Sequence, residues 1–170
     1  TVNITNKTCT TFTATITGQT NINKPRYCLY NSLNVLVSCN GSGIFTDIPY
    51  GSYCIDTKND PDCYDTTIRR CFTAAQNVLN VNLSANRSCA VIGASDLRVN
   101  ITSGTPGYSV SLYAPSGVFM QSLSTSSTSV TFLNIPNLAA SLTYKIIVTD
   151  NCNNKDTDYV APRVYRANRV

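Results

Sequence analysis

Residues 81–89 of this 170-residue chain read VNLSANRSC, and residues 2–9 read VNITNKTC. A chain that restates its own beginning half-way along must fold as two similar modules, because like sequences choose like local structure. Further matches follow in the same order once Cys9 is set on Cys89. Tyr27-Cys28-Leu29-Tyr30 corresponds to the stretch from Tyr108 to Leu112-Tyr113. Phe45-Thr46-Asp47-Ile48-Pro49 corresponds to Phe132-Leu133-Asn134-Ile135-Pro136, a shared F-x-[DN]-I-P. Tyr53 and Tyr144 each open an apolar strand, and Asp65-Thr66 matches Asp156-Thr157. The repeat is about 80 residues long, a usual size for a β-sandwich module.

The local patterns are those of strands. Phe12–Ile16 and Leu97–Ile101 alternate, which sends side chains to opposite faces of a sheet. Val35–Val37, Tyr108–Tyr113, Val118–Leu123, Val130–Leu133 and Tyr144–Val148 are further short strands. Turn signals separate them at Asn31-Ser32, Asn40-Gly41, Tyr50-Gly51, Thr105-Pro106-Gly107, Pro115-Ser116-Gly117 and Asp150-Asn151. Good helix formers are scarce, and no segment reads as an amphipathic helix. The expectation is an all-β chain: two tandem immunoglobulin-like β-sandwich domains with disulfides, over 1–79 and 80–162, with 163–170 beginning a connector to a next repeat. In each domain's first strand the apolar side chains, such as Val81 and Leu83, should face inward, with Asn82 and Ser84 outward.

Eight cysteines and no histidine point to disulfides rather than to zinc, since the C-x2-C pairs of thiolate sites are absent. Disulfides imply an oxidising, extracellular setting. The second copy holds only Cys89 and Cys152, which are expected to pair, and the repeat then pairs Cys9 with Cys63. Four cysteines remain and allow three pairings. Cys28–Cys39 with Cys54–Cys71 is favoured, because each bond clips neighbouring antiparallel strands. No apolar run is long enough to span a membrane.

The second copy carries Ser103-Gly104-Thr105-Pro106-Gly107-Tyr108-Ser109-Val110-Ser111-Leu112-Tyr113 and later Leu142-Thr143-Tyr144-Lys145-Ile146-Ile147-Val148-Thr149-Asp150-Asn151-Cys152. This resembles the GGTPPYTYSW … L-x-x-G-x-Y-x-V-x-V-x-D-x-x-G-C repeat of Bacteroidota cell-surface proteins, of which SprB-type gliding adhesins are members. The first copy keeps Ile48-Pro49-Tyr50-Gly51-Ser52-Tyr53-Cys54-Ile55-Asp56. Leu142 stands near where the family has Gly before the Tyr, and the Gly before the last Cys is missing. The resemblance implies a segment of a large secreted surface adhesin or filament, exported by the type IX route and serving gliding motility. Its partners would be neighbouring repeats and surface polysaccharide or other glycans.

Chemistry is sparsely provided for. Without His or Glu, and without a G-x-S-x-G elbow, the chain lacks the usual acid–base and nucleophilic constellations, so no catalytic residue is expected. No cofactor is expected either, with one exception: Asp56, Asp60, Asp62 and Asp65 are spaced closely enough to hold Ca²⁺, with Asp150, Asp156 and Asp158 in the corresponding stretch of the second copy. The competing reading is that these carboxylates cap turn amides. Asp65-Thr66-Thr67 resembles a D-[ST]-x O-glycosylation signal with Thr66 as acceptor. Six N-x-[ST] sequons, at Asn3, Asn6, Asn40, Asn82, Asn86 and Asn100, scarcely exceed what 19 Asn and 39 Ser/Thr give at random. Tyr30, Tyr113 and Tyr165 are candidate sugar-stacking side chains. The arginines at 163, 166 and 169 lack the aromatic platform or recognition helix of a nucleic-acid site. Alternatives to the adhesive segment are a filament subunit polymerising through the terminal strands Thr1–Thr5 and Val164–Val170, and a discrete glycan- or calcium-binding module.

Overall fold

A computed structural model describes residues 1–18, 25–59, 67–137 and 142–163. The chain divides into two compact units, Thr1–Gln76 and Asn77–Val170. The division falls three residues before the expected boundary, because Asn77 to Leu79 belong with the second unit: Ser103 Oγ donates to Val78 O at 2.6 Å and Leu79 is buried in that unit's core.

Unit 1 holds β1 (Val2–Thr5), β2 (Thr11–Ile16), β3 (Pro25–Asn31), β4 (Leu36–Asn40), β5 (Ile44–Pro49), β6 (Gly51–Asn59) and β7 (Ile68–Ala74). They form a three-stranded sheet, β1-β2-β5, and a four-stranded sheet, β4-β3-β6-β7. Unit 2 repeats the plan with β8 (Asn80–Arg87), β9 (Ala94–Ser103), β10 (Tyr108–Tyr113), β11 (Phe119–Thr125), β12 (Ser129–Pro136), β13 (Tyr144–Thr149) and β14 (Lys155–Val160). Its sheets are β8-β9-β12 and β11-β10-β13-β14. All of these pairings are antiparallel. Each unit is therefore an immunoglobulin-like sandwich, and the echo that divides the sequence is its first strand. Val81 is buried and Leu83 half-buried while Asn82 and Ser84 are exposed, as alternation requires.

The cores are the inward faces. Phe12, Tyr27, Leu29, Phe45, Ile48, Tyr53 and Ile55 pack in unit 1. Leu97, Val99, Val110, Leu112, Phe132, Tyr144, Ile146 and Val148 pack in unit 2. Each fully buried aliphatic or aromatic side chain contributes about 1.5–3 kcal/mol.

The shared F-x-[DN]-I-P acquires a physical meaning here. Phe45 and Ile48 are three residues apart yet both buried, as are Phe132 and Ile135. A regular strand, with its period of two, would point them to opposite faces. The chain inserts a β-bulge instead. The register passes from Phe12↔Ile48 to Ala14↔Phe45, and from Leu97↔Phe132 to Ser95↔Ile135, so two residues oppose one. Asp47 and Asn134 absorb the extra residue at φ of 56° and 57°, the left-handed region that Asp and Asn tolerate best after Gly. In unit 2, Asp96 Oδ1 accepts the Asn134 amide at 2.9 Å.

Directly after each bulge comes a tyrosine lock. Tyr53 Oη donates to Pro49 O at 2.8 Å and Tyr144 Oη to Pro136 O at 2.6 Å. Each bond ties the first residues of the second sheet to the last residue of the first, a tyrosine corner. Burial pushes both phenols above their ordinary pKa.

Among the cysteines, Cys28 bonds Cys39 and Cys54 bonds Cys71, each joining directly opposed residues of neighbouring strands. The expected Cys89–Cys152 bridge is not formed. Cys152 is disulfide-bonded, whereas Cys89 is a free and exposed thiol. Cys89 sits in the turn after β8, where the Ala94 carbonyl accepts the Ser88 amide and Ser88 Oγ accepts the Ala90 amide, so the turn is closed without it. Cys9 is disulfide-bonded, and Cys63 lies outside the described residues. Of the expected donor strand Thr1–Thr5, Val2–Thr5 is paired with β2 at the edge of its own sheet. The other proposed donor and connector, 164–170, lies outside the described residues.

Two outcomes follow for chemical denaturation. Asp47→Gly should leave the stability of unit 1 within about 0.5 kcal/mol, whereas Asp47→Val should cost about 1–2 kcal/mol through left-handed strain. Tyr144→Phe should cost unit 2 roughly 1–2 kcal/mol, since the Pro136 carbonyl loses its donor.

Candidate functional site

The outward faces of the two four-stranded sheets occupy the same place in both units, and they gather most of the chemically distinctive side chains. In unit 1, alternation along β3 and β6 sends Tyr27, Leu29, Tyr53 and Ile55 into the core and Cys28, Tyr30, Cys54 and Asp56 outward. One outward row runs Leu36–Tyr30–Cys54–Cys71 and another Cys39–Cys28–Asp56–Arg69. Each row thus contains one cross-strand disulfide. Together they tie both outer strands, β4 and β7, covalently to the two central ones.

Between the disulfides lies a fixed charge pair. Arg69 Nε donates to Asp56 Oδ1 at 2.6 Å and Nη2 to Oδ2 at 2.9 Å, a two-pronged contact. Arg69 Nη1 donates to Asn34 Oδ1 at 3.0 Å in the β3–β4 turn, and the guanidinium lies 5.2 Å from the centre of the Tyr30 ring. One side chain on β7 thereby reaches across the sheet to the turn beyond β3. The hydrogen bond from Arg69 holds the Asp56 carboxyl below its ordinary pKa of 3.8, against the opposing effect of burial.

Both Asp56 oxygens accept from Arg69, so this carboxylate anchors a cation on the outward face. Asp60, Asp62, Cys63, Asp65 and Thr66 lie outside the described residues, and among the described residues no three acidic, Cys or His side chains cluster as a metal set. The acidic residues of the second copy turn to backbone amides. Asp156 Oδ2 accepts the Val81 amide at 2.9 Å and Asp158 Oδ1 accepts the Tyr159 amide at 2.8 Å.

Asp150 is buried and does more. Its Oδ1 accepts the amides of Cys152 and Asn154, both at 2.9 Å. Its Oδ2 accepts the Thr105 amide at 3.0 Å and Asn154 Nδ2 at 3.1 Å. The Gly104–Gly107 turn and the Asp150–Asn154 turn are thus clamped together, which unites the two separated halves of the family-like motif at one end of unit 2. Gly104 is required there: at φ +130° a Cβ would stand 2.7 Å from Leu79 Cδ1. Burial opposes ionisation of Asp150, but the hydrogen bonds from Thr105, Asn154 and Cys152 outweigh it and keep its pKa below 3.8.

In unit 2 the outward row at the same end of the sheet reads Phe119–Tyr113–Lys145–Tyr159 across β11, β10, β13 and β14. Phe119 meets Tyr113 edge-on with ring centres 5.7 Å apart, and Lys145 Nζ lies 5.8 Å from the Tyr113 ring centre. Phe119 and Tyr159 are more than half exposed. A shallow cleft lined by Pro115, Gly117, Thr143, Lys145 and Tyr159 opens beside them. Tyr30 and Tyr113, singled out from sequence, occupy corresponding sheet ends, each beneath a cation; Tyr165 lies outside the described residues. Arg69, Lys145, Phe119 and Tyr159 were not singled out. For Arg69 a signal existed: an antiparallel Cys54–Cys71 pair places Asp56 directly opposite Arg69.

The chain is similar to a two-domain fibronectin type-III segment of chicken tenascin, at 10% identity and a TM-score of 0.38 over 95% of this chain and 97% of that one. It is similar to the BSP domain of a biofilm-associated protein, at 16% identity and a TM-score of 0.32 over 97% of this chain. It is also similar to a Ruminococcus gnavus beta-glucuronidase, at 8% identity and a TM-score of 0.44 over 93% of this chain. The chain spans only 30% and 35% of the length of these last two. No family model and no curated protein matches the sequence.

The Asp150 clamp is testable by acid. A carboxylate with a lowered folded pKa stabilises the fold above its ordinary value and loses that contribution as pH falls through the folded value. Asp150→Asn should lower the melting temperature of unit 2 at pH 7, at a cost of about 2–3 kcal/mol. Calorimetric curves of variant and parent should converge as the pH is brought below the ordinary 3.8.

Proposed function

We propose that this chain is a non-catalytic structural and adhesive segment of a large secreted cell-surface protein, with neighbouring repeats of its own chain as its first partners. The observation that carries this reading is the exact-order duplication of one seven-strand plan, with the same bulge and the same tyrosine lock conserved between the two copies. Tandem sandwiches present repeated sheet faces, and that task needs no cofactor. The cross-strand disulfides of unit 1 fit an oxidising exterior and a load-bearing role. The motif shared with SprB-type repeats extends the reading to surface adhesins of gliding Bacteroidota and their type IX export.

Single-molecule extension tests the mechanical part. Two unfolding events are expected. The disulfides withhold the intervals from Cys28 to Cys39 and from Cys54 to Cys71, with separations of 11 and 17 residues. Replacing Cys28 and Cys39 by Ala should lengthen the extension of unit 1 by roughly 40 Å, at about 3.3–3.6 Å per released residue. A single cooperative event, or no added length, would contradict the reading.

A second reading, glycan contact, is supported by the Phe119–Tyr113–Lys145–Tyr159 row. Exposed aromatic faces beside a cation suit the apolar face and acidic groups of a surface polysaccharide. On a glycan array the chain should retain acidic polysaccharides, and Tyr159→Ala should weaken retention about tenfold or more. Equal retention by parent and variant would remove this face from consideration.

A further inference from the structure

The first and last strands of unit 2 close one side of its sandwich. β8 is an edge of one sheet and β14 an edge of the other, and the two lie beside each other. Each has its backbone partner in its own sheet, β8 in β9 and β14 in β13. A row of side-chain bonds joins them to one another. Asn154 Nδ2 donates to Asn77 O at 3.4 Å, Asp156 Oδ2 accepts the Val81 amide at 2.9 Å, and Arg163 Nε donates to Ala85 O at 3.3 Å. Alternation along β14 makes this possible: Lys155, Thr157 and Tyr159 are exposed, while Asp156 is half-buried towards β8. The partners advance together, Asn77 with Asn154, Val81 with Asp156 and Ala85 with Arg163. The two strands therefore run side by side in the same direction.

Both ends of this row are pinned to the body of the sandwich. Where the chain enters, Ser103 Oγ donates to Val78 O at 2.6 Å and accepts Asn80 Nδ2 at 2.8 Å. Where it leaves, the fully buried Ser95 accepts the Arg163 amide at 3.0 Å and donates to Asn137 Oδ1 at 2.6 Å. Asn137 Nδ2 in turn donates to Arg163 O at 2.9 Å. The backbone of Arg163 is thus held by its amide and its carbonyl at once.

Tension entering before β8 and leaving past β14 pulls two parallel strands from opposite ends, so it slides one along the other. Bonds lying across the sliding direction are loaded together, whereas a strand peeled from its end gives up its bonds one at a time. We infer that Asn154, Asp156 and Arg163 form a shear latch that holds unit 2 closed against tension along the chain. Asp156 is its central member, because its bond is the shortest of the three and its acceptor is a carboxylate. The use of such a latch rests on the load-bearing reading above. It assigns to three named side chains a resistance that the seven-strand plan by itself does not specify.

Constant-force stretching of the whole chain tests it, under a thiol reductant so that the disulfide at Cys152 carries no load. Handles at Ala75 and Val170 apply tension along the latch. Asp156→Ala should then shorten the lifetime of unit 2 about tenfold or more, and Asp156→Asn, which keeps an acceptor oxygen, should recover most of it. Handles at the exposed Ser116 and Ser127, in the turns on either side of β11, peel that strand instead. In that geometry parent and Asp156→Ala should agree within about twofold. An unchanged lifetime along the latch would overturn the inference. So would equal shortening in both geometries, which would make Asp156 a general stabiliser of the fold. Neither outcome touches the two separate unfolding events expected of the spacer, which stand or fall on their own measurement.

Discussion

Each unit depends on how its chain leaves one sheet and enters the other. At that crossing a tyrosine hydroxyl donates to the carbonyl of the proline that closes the preceding strand, Tyr53 to Pro49 and Tyr144 to Pro136. The bond is effective because the bulge before it has already turned two apolar side chains inward, Phe45 with Ile48 and Phe132 with Ile135. Without the bulge, one of each pair would face solvent; without the hydroxyl bond, a proline carbonyl beside the core would lose its donor. The F-x-[DN]-I-P…Y pattern is thus a single device spelled over a dozen or so residues, and it aligns the two sheets on which both outward faces are built.

On that common frame the two units hold their outward sheets by different means. Among the described residues unit 1 buries fewer apolar side chains, and it adds two cross-strand disulfides and the Asp56–Arg69 pair. Closing short loops covalently constrains the unfolded chain by roughly 3 kcal/mol per bridge in the entropic account. Among the described residues unit 2 has the larger apolar core and no disulfide within its outward sheet. It relies on the buried Asp150, whose four accepted hydrogen bonds clamp two turns. The freed outward surface of unit 2 carries aromatic rings instead of sulfur, which is why the candidate contact row lies there.

Much of this was legible in the residues. The repeat, the alternating strands and the turn residues specify an all-β chain of two sandwiches, because period-two patterns and turn chemistry are local. The Cys28–Cys39 and Cys54–Cys71 pairs follow from the clipping of neighbouring strands. Carboxylates were harder. Asp56 is bound by an arginine 13 residues away, across a hairpin whose register only the paired strands define. Cys89 was harder still. Equivalence within a repeat predicts position, but a disulfide needs two sulfur atoms brought within bonding distance, and Cys89 lies in an exposed turn closed by backbone bonds.

The sequence by itself determined the number of modules, their strand content and the sites of the two bulges, since each is written in residues a few positions apart. Only the tertiary structure decided which side chains share a face: Arg69 over Tyr30, Phe119 beside Tyr113, Asp150 between two turns. It also decided which edges stay free. Those outcomes depend on strands far apart in sequence lying about 5 Å apart in the sheet, and no local pattern encodes that neighbourhood.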